Sequence, residues 1–334
     1  MSRAKSLLRP LGVHAALVVV VVWSVLPLLW TFQTSIKFTR DVAARIPVFW
    51  GYDTTAAAYR AYWFDDQGVN MWHVLLAVLV SSTVTAGFLL IGKRASKPWI
   101  FNLLAAVSVA ASLYFLGSTW ETSDQFEFLI NSIIVTVATI VVSIGIGLLG
   151  GYGLARYSGR SGAVILITAL AFRALPRFAF ILPFFIIAKS LGLLDSRAII
   201  VLALVAVNQP FTIWMLRTFF LEVPKELEEA AMMDGATRLQ AFIRVVIPTM
   251  KPGIIATSLF TLLLAYNEFL FVRVLAPTNW TLPVGIVSLA GGESSKGITE
   301  AAAAAVSMTL PIVIVIILFQ KHLVKGLGSG AVKG

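Results

Sequence analysis

The sequence predicts an all-α polytopic membrane protein of about eight spans, and three observations carry that prediction. Of its 334 residues, 58% are hydrophobic and only 13% charged, whereas soluble domains are about half apolar and about a quarter charged. Eight runs are long and apolar enough to be helices crossing a bilayer core, which takes about 20 residues each. The lysines and arginines collect in alternate loops, as they do in membrane proteins.

The runs fall at 11–32, 73–92, 100–117, 128–153, 163–188, 199–216, 253–275 and 302–320. The first follows Arg3, Lys5 and Arg9 and reads as an uncleaved anchor. No small-x-small cleavage site follows it, and it is too long for the core of a signal peptide. An even number of spans puts both termini on one side. With that side cytoplasmic, sixteen of the 26 basic residues lie inside, seven lie outside, and Arg173, Arg177 and Arg273 fall within spans. Both termini are therefore expected in the cytoplasm. The stretches 33–72 and 276–300 are then external and long enough to build a structured outer surface.

Composition also excludes function classes. Cysteine is absent and the three histidines, His14, His73 and His322, are scattered. No thiolate or histidine metal site is expected, and no cluster of catalytic groups is evident. The net charge of +10 belongs to cytoplasmic loops rather than to a nucleic-acid surface, since no basic run carries interleaved aromatics.

The least typical stretch is the longest inside loop, between the sixth and seventh runs. Residues 226–248, ELEEAAMMDGATRLQAFIRVVIP, hold Glu226, Glu228, Glu229 and Asp234 within nine residues. Pro224 suits the first position of a helix, and the glutamates lie near the positive end of its dipole. Gly235 is placed to end that helix in the left-handed conformation. Thr237-Arg238-Leu239-Gln240 is a capping-box pattern that starts a second helix. In that helix Leu239, Phe242, Ile243 and Val246 form an apolar stripe, and Pro248 closes it. A helix pair lying on lipid headgroups would present a basic face. This one is acidic in its first half, which anionic lipids repel, so a protein partner suits it better.

Here the sequence resembles the permeases of binding-protein-dependent ABC importers. Glu229-Ala230-Ala231, three residues, Gly235, nine residues, then Val245-x-Ile247-Pro248 is similar to the EAA loop of that family, with conservative departures at Val245 and Ile247. Asp234-Gly235-Ala236 looks like the carbohydrate-importer group. The tail from Leu323 to Gly334 resembles the end of maltose-type second permease subunits, and Asn131-Ser132 and Tyr152-Gly153-Leu154-Ala155-Arg156 also fit. The resemblance covers residues 11–50 loosely and 128–334 well.

The resemblance implies a type I ABC importer transmembrane domain with a six-span core. Residues 60–120 then look like an inserted helical pair joined by the basic turn Lys93–Lys97. The organisation expected is an anchor helix with an external segment at 1–60, the inserted pair at 61–125, the permease core at 126–320 with its coupling loop at 221–250, and a cytoplasmic tail at 321–334. The implied setting is a bacterial or archaeal cytoplasmic membrane. The implied partners are a sister permease, two ATP-binding subunits, an extracytoplasmic solute-binding protein and a sugar. No G-x-x-x-x-G-K-[ST] occurs in the chain, so no cofactor is expected on it; ATP and Mg would be used by the partner subunits.

Glu229, Ala230, Ala231, Asp234, Gly235 and Pro248 are the implied ATPase contact. Gly235 reads equally as a plain helix cap, and the cap is what docking needs. Gly328, Gly330 and Lys333 would thread between the ATPase subunits, where composition alone gives a frayed terminus. Polar groups inside spans are candidates for a solute path: Arg177 in the fifth run, Asn208 and Gln209 in the sixth, Tyr266, Asn267 and Glu268 in the seventh. They read equally as structural pairs between helices. Gly147-x-x-x-Gly151 reads as a close helix crossing. A secondary transporter of a small polar solute is the main alternative, but it would show paired broken helices in two repeats, and no internal repeat is clear. A membrane enzyme would need a catalytic cluster.

Overall fold

Long apolar runs must satisfy their own backbone hydrogen bonds in a bilayer, so they fold as helices. The computed structural model describes residues 2–46, 48–64, 69–95, 97–157, 159–290 and 295–331. Its helices in chain order are α1 (Ser2–Ser35), α2 (Thr39–Val42), α3 (Ala57–Trp63), α4 (Met71–Gly92), α5 (Pro98–Thr119), α6 (Asp124–Arg156), α7 (Arg160–Arg173), α8 (Phe178–Ser190) and α9 (Arg197–Glu222). There follow α10 (Lys225–Met233), α11 (Arg238–Ala241), a π-helical turn at Phe242–Val246, α12 (Ile247–Thr249), α13 (Lys251–Tyr266), α14 (Leu270–Leu275), α15 (Leu282–Ala290) and α16 (Ser295–Ala331). The described residues form no strand beyond two isolated bridges, Lys37 with Thr54 and Phe64 with Thr122.

Six of these helices are long and apolar enough to cross a membrane, or seven if the bent pair 238–249 and 251–266 is one span. The runs at 163–188 and 253–275 differ from expectation, because neither is one helix. The first breaks between Arg173 and Phe178. Pro176 lacks an N–H and disfavours helical backbone at Leu175. The second breaks at Asn267–Phe269, where Glu268 turns its carboxylate onto the N–H groups of Leu270 (3.0 Å) and Phe271 (3.2 Å). A side chain that takes backbone donors in this way starts a new helix instead of continuing the old one.

The chain divides into two compact units. The first comprises residues 1–127 and 286–309. In it α4 and α5 form an antiparallel pair held by hydroxyl contacts, Thr85 to Ser108 at 2.7 Å and Ser81 to Ser112, the polar bonds that tie helices where lipid gives no hydrophobic drive. After α1, the Lys37 ammonium is buried, donates to the Val48 carbonyl at 2.6 Å, and lies over the rings of Trp30 and Tyr52. Trp63 donates to Ser307 at 3.1 Å, so α3 is pinned to α16.

The second unit comprises residues 128–285 and 310–334, and α9 is its spine. One end of α9 buries Ile199, Ile200, Ala203 and Leu204 against α8 and α14. The other end buries Leu216, Phe219 and Phe220 against Ile144, Phe242, Val246 and Ala256. The crossing of α6 with α9 uses the expected glycines. A Cβ on Gly147 would stand 2.8 Å from Leu216 and Thr212; one on Gly151 would stand 3.0 Å from the Arg217 backbone nitrogen.

Asn131 clamps the first turns of this unit. It accepts from Arg197 at 2.6 Å and donates to the Trp280 carbonyl at 2.9 Å, while Ser132 accepts the Leu282 N–H at 2.8 Å. Nearby, Asp195 accepts from Thr278 and Asn279. Desolvation opposes the Asp195 charge, but those hydrogen bonds prevail and hold its carboxyl below the ordinary range.

Gly151→Val is expected to destabilise the purified subunit by about 1–3 kcal/mol, the usual effect of overpacking, because the obstacle is backbone. Gly145→Val, where nothing lies within 4 Å, should match the parent. Thermal unfolding of both variants in one detergent checks the pair.

Candidate functional site

The loop between α9 and α13 is built largely as its sequence implies. Pro224 is the N-cap of α10 rather than its first residue, with extended backbone at ψ 136°. Glu226 and Glu228 occupy the first turn, where anionic side chains suit the helix dipole. The helix ends in a Schellman motif: Ala236 N–H donates to the Ala231 carbonyl and Gly235 N–H to Met232, both at 3.1 Å. Gly235 has φ +88°, a conformation that favours glycine. Thr237 and Gln240 form the reciprocal capping box at 2.9 and 3.3 Å.

The second helix is less regular than the stripe suggests. Its middle widens into the π turn, and it runs one residue past Pro248, to Thr249, before a 73° bend into α13. Proline at 248 has no N–H and crowds the carbonyl four residues back; the wider turn relieves that conflict. The stripe itself splits. Phe242 and Val246 are buried in the core, whereas Leu239 and Ile243 are exposed.

Glu229, Ala230, Asp234, Gly235 and Pro248 are exposed, and Ala231 is half-buried. With Met233, Leu239 and Ile243 they make a surface that is apolar in part and acidic in part. Gly328 and Gly330 lie on the helical end of α16; Lys333 lies outside the described residues.

Sequence reasoning missed Glu228, which it grouped with the exposed acids. Glu228 is buried, 6% exposed. Its carboxylate pairs with Arg156 Nε at 3.1 Å and accepts the Tyr152 hydroxyl. Arg156 also donates to the carbonyls of Phe220 (3.3 Å) and Val223 (3.3 and 3.4 Å) at the end of α9. The Tyr152 ring packs on Phe220 and Phe242. The signal available was Tyr152 and Arg156, four apart and so on one face of α6. Beside this contact is a cleft of about 470 Å³ lined by Tyr157, Lys225, Glu229, Met232 and Arg238 among others.

The polar residues of the spans separate into groups. Arg177 pairs with Glu268, which is 3% exposed. Arg177, Arg173 and Asn208 line a common cavity of about 430 Å³ at the break between α7 and α8. Arg173 also stacks on Phe211, 4.4 Å from the ring centroid. Gln209 turns away and donates to the Ser143 carbonyl at 3.2 Å. Asn267 donates back to Leu263 of its own helix at 2.8 Å, and Tyr266 is buried. The six candidates therefore do not form one site.

Comparison with known proteins gives the same direction. Residues 143–329 match the family described as binding-protein-dependent transport system inner membrane component. The chain is 34% identical over 250 residues to the trehalose transport system permease protein SugB of Mycobacterium tuberculosis, covering 71% of this chain and 91% of that protein. It is 36% identical over 221 residues to the diacetylchitobiose uptake system permease protein DasC of Streptomyces coelicolor, covering 64% and 78% respectively. Its fold is similar to that of a chain from a bacterial ABC transporter involved in the import of the acidic polysaccharide alginate, with TM-score 0.63 and 22% identity over 94% of this chain and 96% of that one.

Breaking a buried ion pair is worse than removing it whole. Arg177→Met should cost about 2 kcal/mol, less than the 3–5 kcal/mol of a fully enclosed pair because Arg177 keeps solvent access. Arg177→Met combined with Glu268→Gln should be more stable than Arg177→Met alone, since a carboxamide oxygen still accepts the Leu270 and Phe271 N–H groups. Thermal unfolding of the single and double variants tests the order.

Proposed function

The chain belongs to the family of binding-protein-dependent transport system inner membrane components, and from that premise we propose that it is a permease subunit of an ATP-driven carbohydrate importer. It is a multi-pass inner-membrane protein that works with an ATPase and a solute-binding protein, as the family implies. In the proposed assembly it pairs with a sister permease, both its termini are cytoplasmic, and two ATPase subunits bind and hydrolyse ATP with Mg. A carbohydrate is favoured because its relatives are named for trehalose and diacetylchitobiose transport.

The observation that carries this reading is the bend at Gly235. A rigid Schellman cap and a capping box sit back to back, and Glu229, Ala230, Asp234 and Gly235 are exposed around them. Small Ala230 allows close approach, and Glu229 offers a carboxylate to basic or N–H partners. A loop this well hydrogen-bonded moves as one body when an ATPase closes on it. Its motion enters the membrane through α9 and α13, which flank it. On the solute path, Arg177 and Asn208 are the candidates that share a cavity; planar guanidinium and carboxamide groups suit sugar hydroxyls.

Gly235→Val should abolish transport and the stimulation of ATP hydrolysis by loaded binding protein while subunit abundance stays normal. A Cβ there meets nothing within 4 Å, so the damage is backbone strain of about 1–3 kcal/mol, confined to the loop. Gly235→Ala should be milder. Reconstituted vesicles provide the assay, and wild-type transport by Gly235→Val would remove the loop from the coupling role.

The chain's lack of cysteine makes topology directly testable. In sealed right-side-out membranes, Cys placed by Glu121→Cys should react with an impermeant thiol reagent, and Arg94→Cys should be protected. Labelling of Arg94→Cys would overturn the proposed orientation.

A further inference from the structure

We propose that Glu228 is a positioning residue that ties the coupling loop to α6, so that displacement of the loop is delivered to a third helix as well as to the two that flank it. The inference rests on the coupling role proposed for the loop. The loop continues through the chain into α9 and α13, but α6 is distant in sequence and can follow it only through side chains. The link is the group Tyr152, Arg156 and Glu228. Glu228 is 6% exposed, and its two oxygens are divided between the Tyr152 hydroxyl and Arg156 Nε. Arg156 in turn holds the Phe220 and Val223 carbonyls, so one guanidinium joins α6, the end of α9 and α10.

The geometry separates two neighbouring acids by task. Glu229 faces outward and is free to meet a partner. Glu228 faces inward, where a charge is stable only with its cation in place. Close packing completes the joint: Tyr152 contacts Phe242 at 4.6 Å between centroids, and Gly151 lies against α9. A close-packed contact transmits a shift rather than absorbing it; here the packed side faces α9 and Phe242, and the other side opens on the cleft that Tyr152, Arg156 and Glu228 help to line. A loosened joint would let the loop move while α6 stays behind.

The test is the ratio of ATP hydrolysed to solute transported, measured on the complete complex in vesicles with trehalose and diacetylchitobiose as probes and with subunit abundance followed in parallel. Glu228→Gln keeps the shape and removes the charge; Tyr152→Phe removes one hydroxyl. Each should raise the ratio, Glu228→Gln by about tenfold, within the range by which residues along a coupling network act. Arg156→Gln with Glu228→Gln should do little more than either alone, because the two act through one contact. A role in folding alone would lower transport and stimulated hydrolysis together, in step with abundance, and leave the ratio unchanged. Should Glu228→Gln insert poorly, Tyr152→Phe decides. An unchanged ratio in these variants, with Gly235→Val still lacking transport and stimulated hydrolysis, overturns the inference alone. Wild-type transport and stimulated hydrolysis in Gly235→Val as well overturns the coupling role of the loop.

Discussion

Arg156 is the cation on which the end of the second unit that carries the loop between α9 and α13 depends. A guanidinium has five N–H donors in a fixed plane, and here they serve three acceptors on two elements: the Glu228 carboxylate of α10, and the Phe220 and Val223 carbonyls at the end of α9. Those carbonyls lie at the C-terminus of the helix, where regular intrahelical donors run out and the Phe220 carbonyl takes the Val223 N–H of the cap, and a cation there also suits the helix dipole. The side chains of Arg156 and Glu228 are 16% and 8% exposed, so both charges are largely enclosed and each needs its partner. The position of α10, and hence of the exposed surface around Gly235, follows from that arrangement.

The same spine, α9, organises both ends of the unit by different chemistry. At the cytoplasmic end of the proposed topology it is held by a buried ion pair and aromatic packing. At the other end, Asn131 and Ser132 are joined to Arg197, Trp280 and Leu282 by hydrogen bonds rather than ion pairs, and Asp195 adds a carboxylate whose charged form its donors favour. Between the ends, α6 approaches α9 closely only because residues 147 and 151 lack side chains. Lipid offers no hydrophobic drive for helices to associate, so close packing and interhelical hydrogen bonds carry the contact.

The broken helices have a common cause and a common consequence. Pro176 and Glu268 each interrupt a helix that hydropathy alone would continue, one by lacking a donor and the other by capturing two. Both breaks bring a polar group to the Arg177–Glu268 pair, and irregular backbone at membrane depth is tolerated where protein buries it or a cavity faces it. The cavity with Arg173, Arg177 and Asn208 is at one such break. In the proposed importer this cavity would offer a passing solute a few charged and carboxamide groups.

The sequence by itself determined the class of protein, most of the spans and the shape of the loop between α9 and α13. Those features are local: apolar length sets a spanning helix, and a capping box or a left-handed glycine acts within a few residues. Gly147 and Gly151 were legible for the same reason, since their spacing places them on one helix face. Only the tertiary structure decided which acid of 226–229 is buried, which half of the stripe from Leu239 to Val246 faces the core, and which polar span residues share a cavity. Glu228 and Glu229 are adjacent and chemically identical, and their difference lies in Arg156, 72 residues away. A contact of that range is set by how α6 packs on α9, which no local pattern encodes.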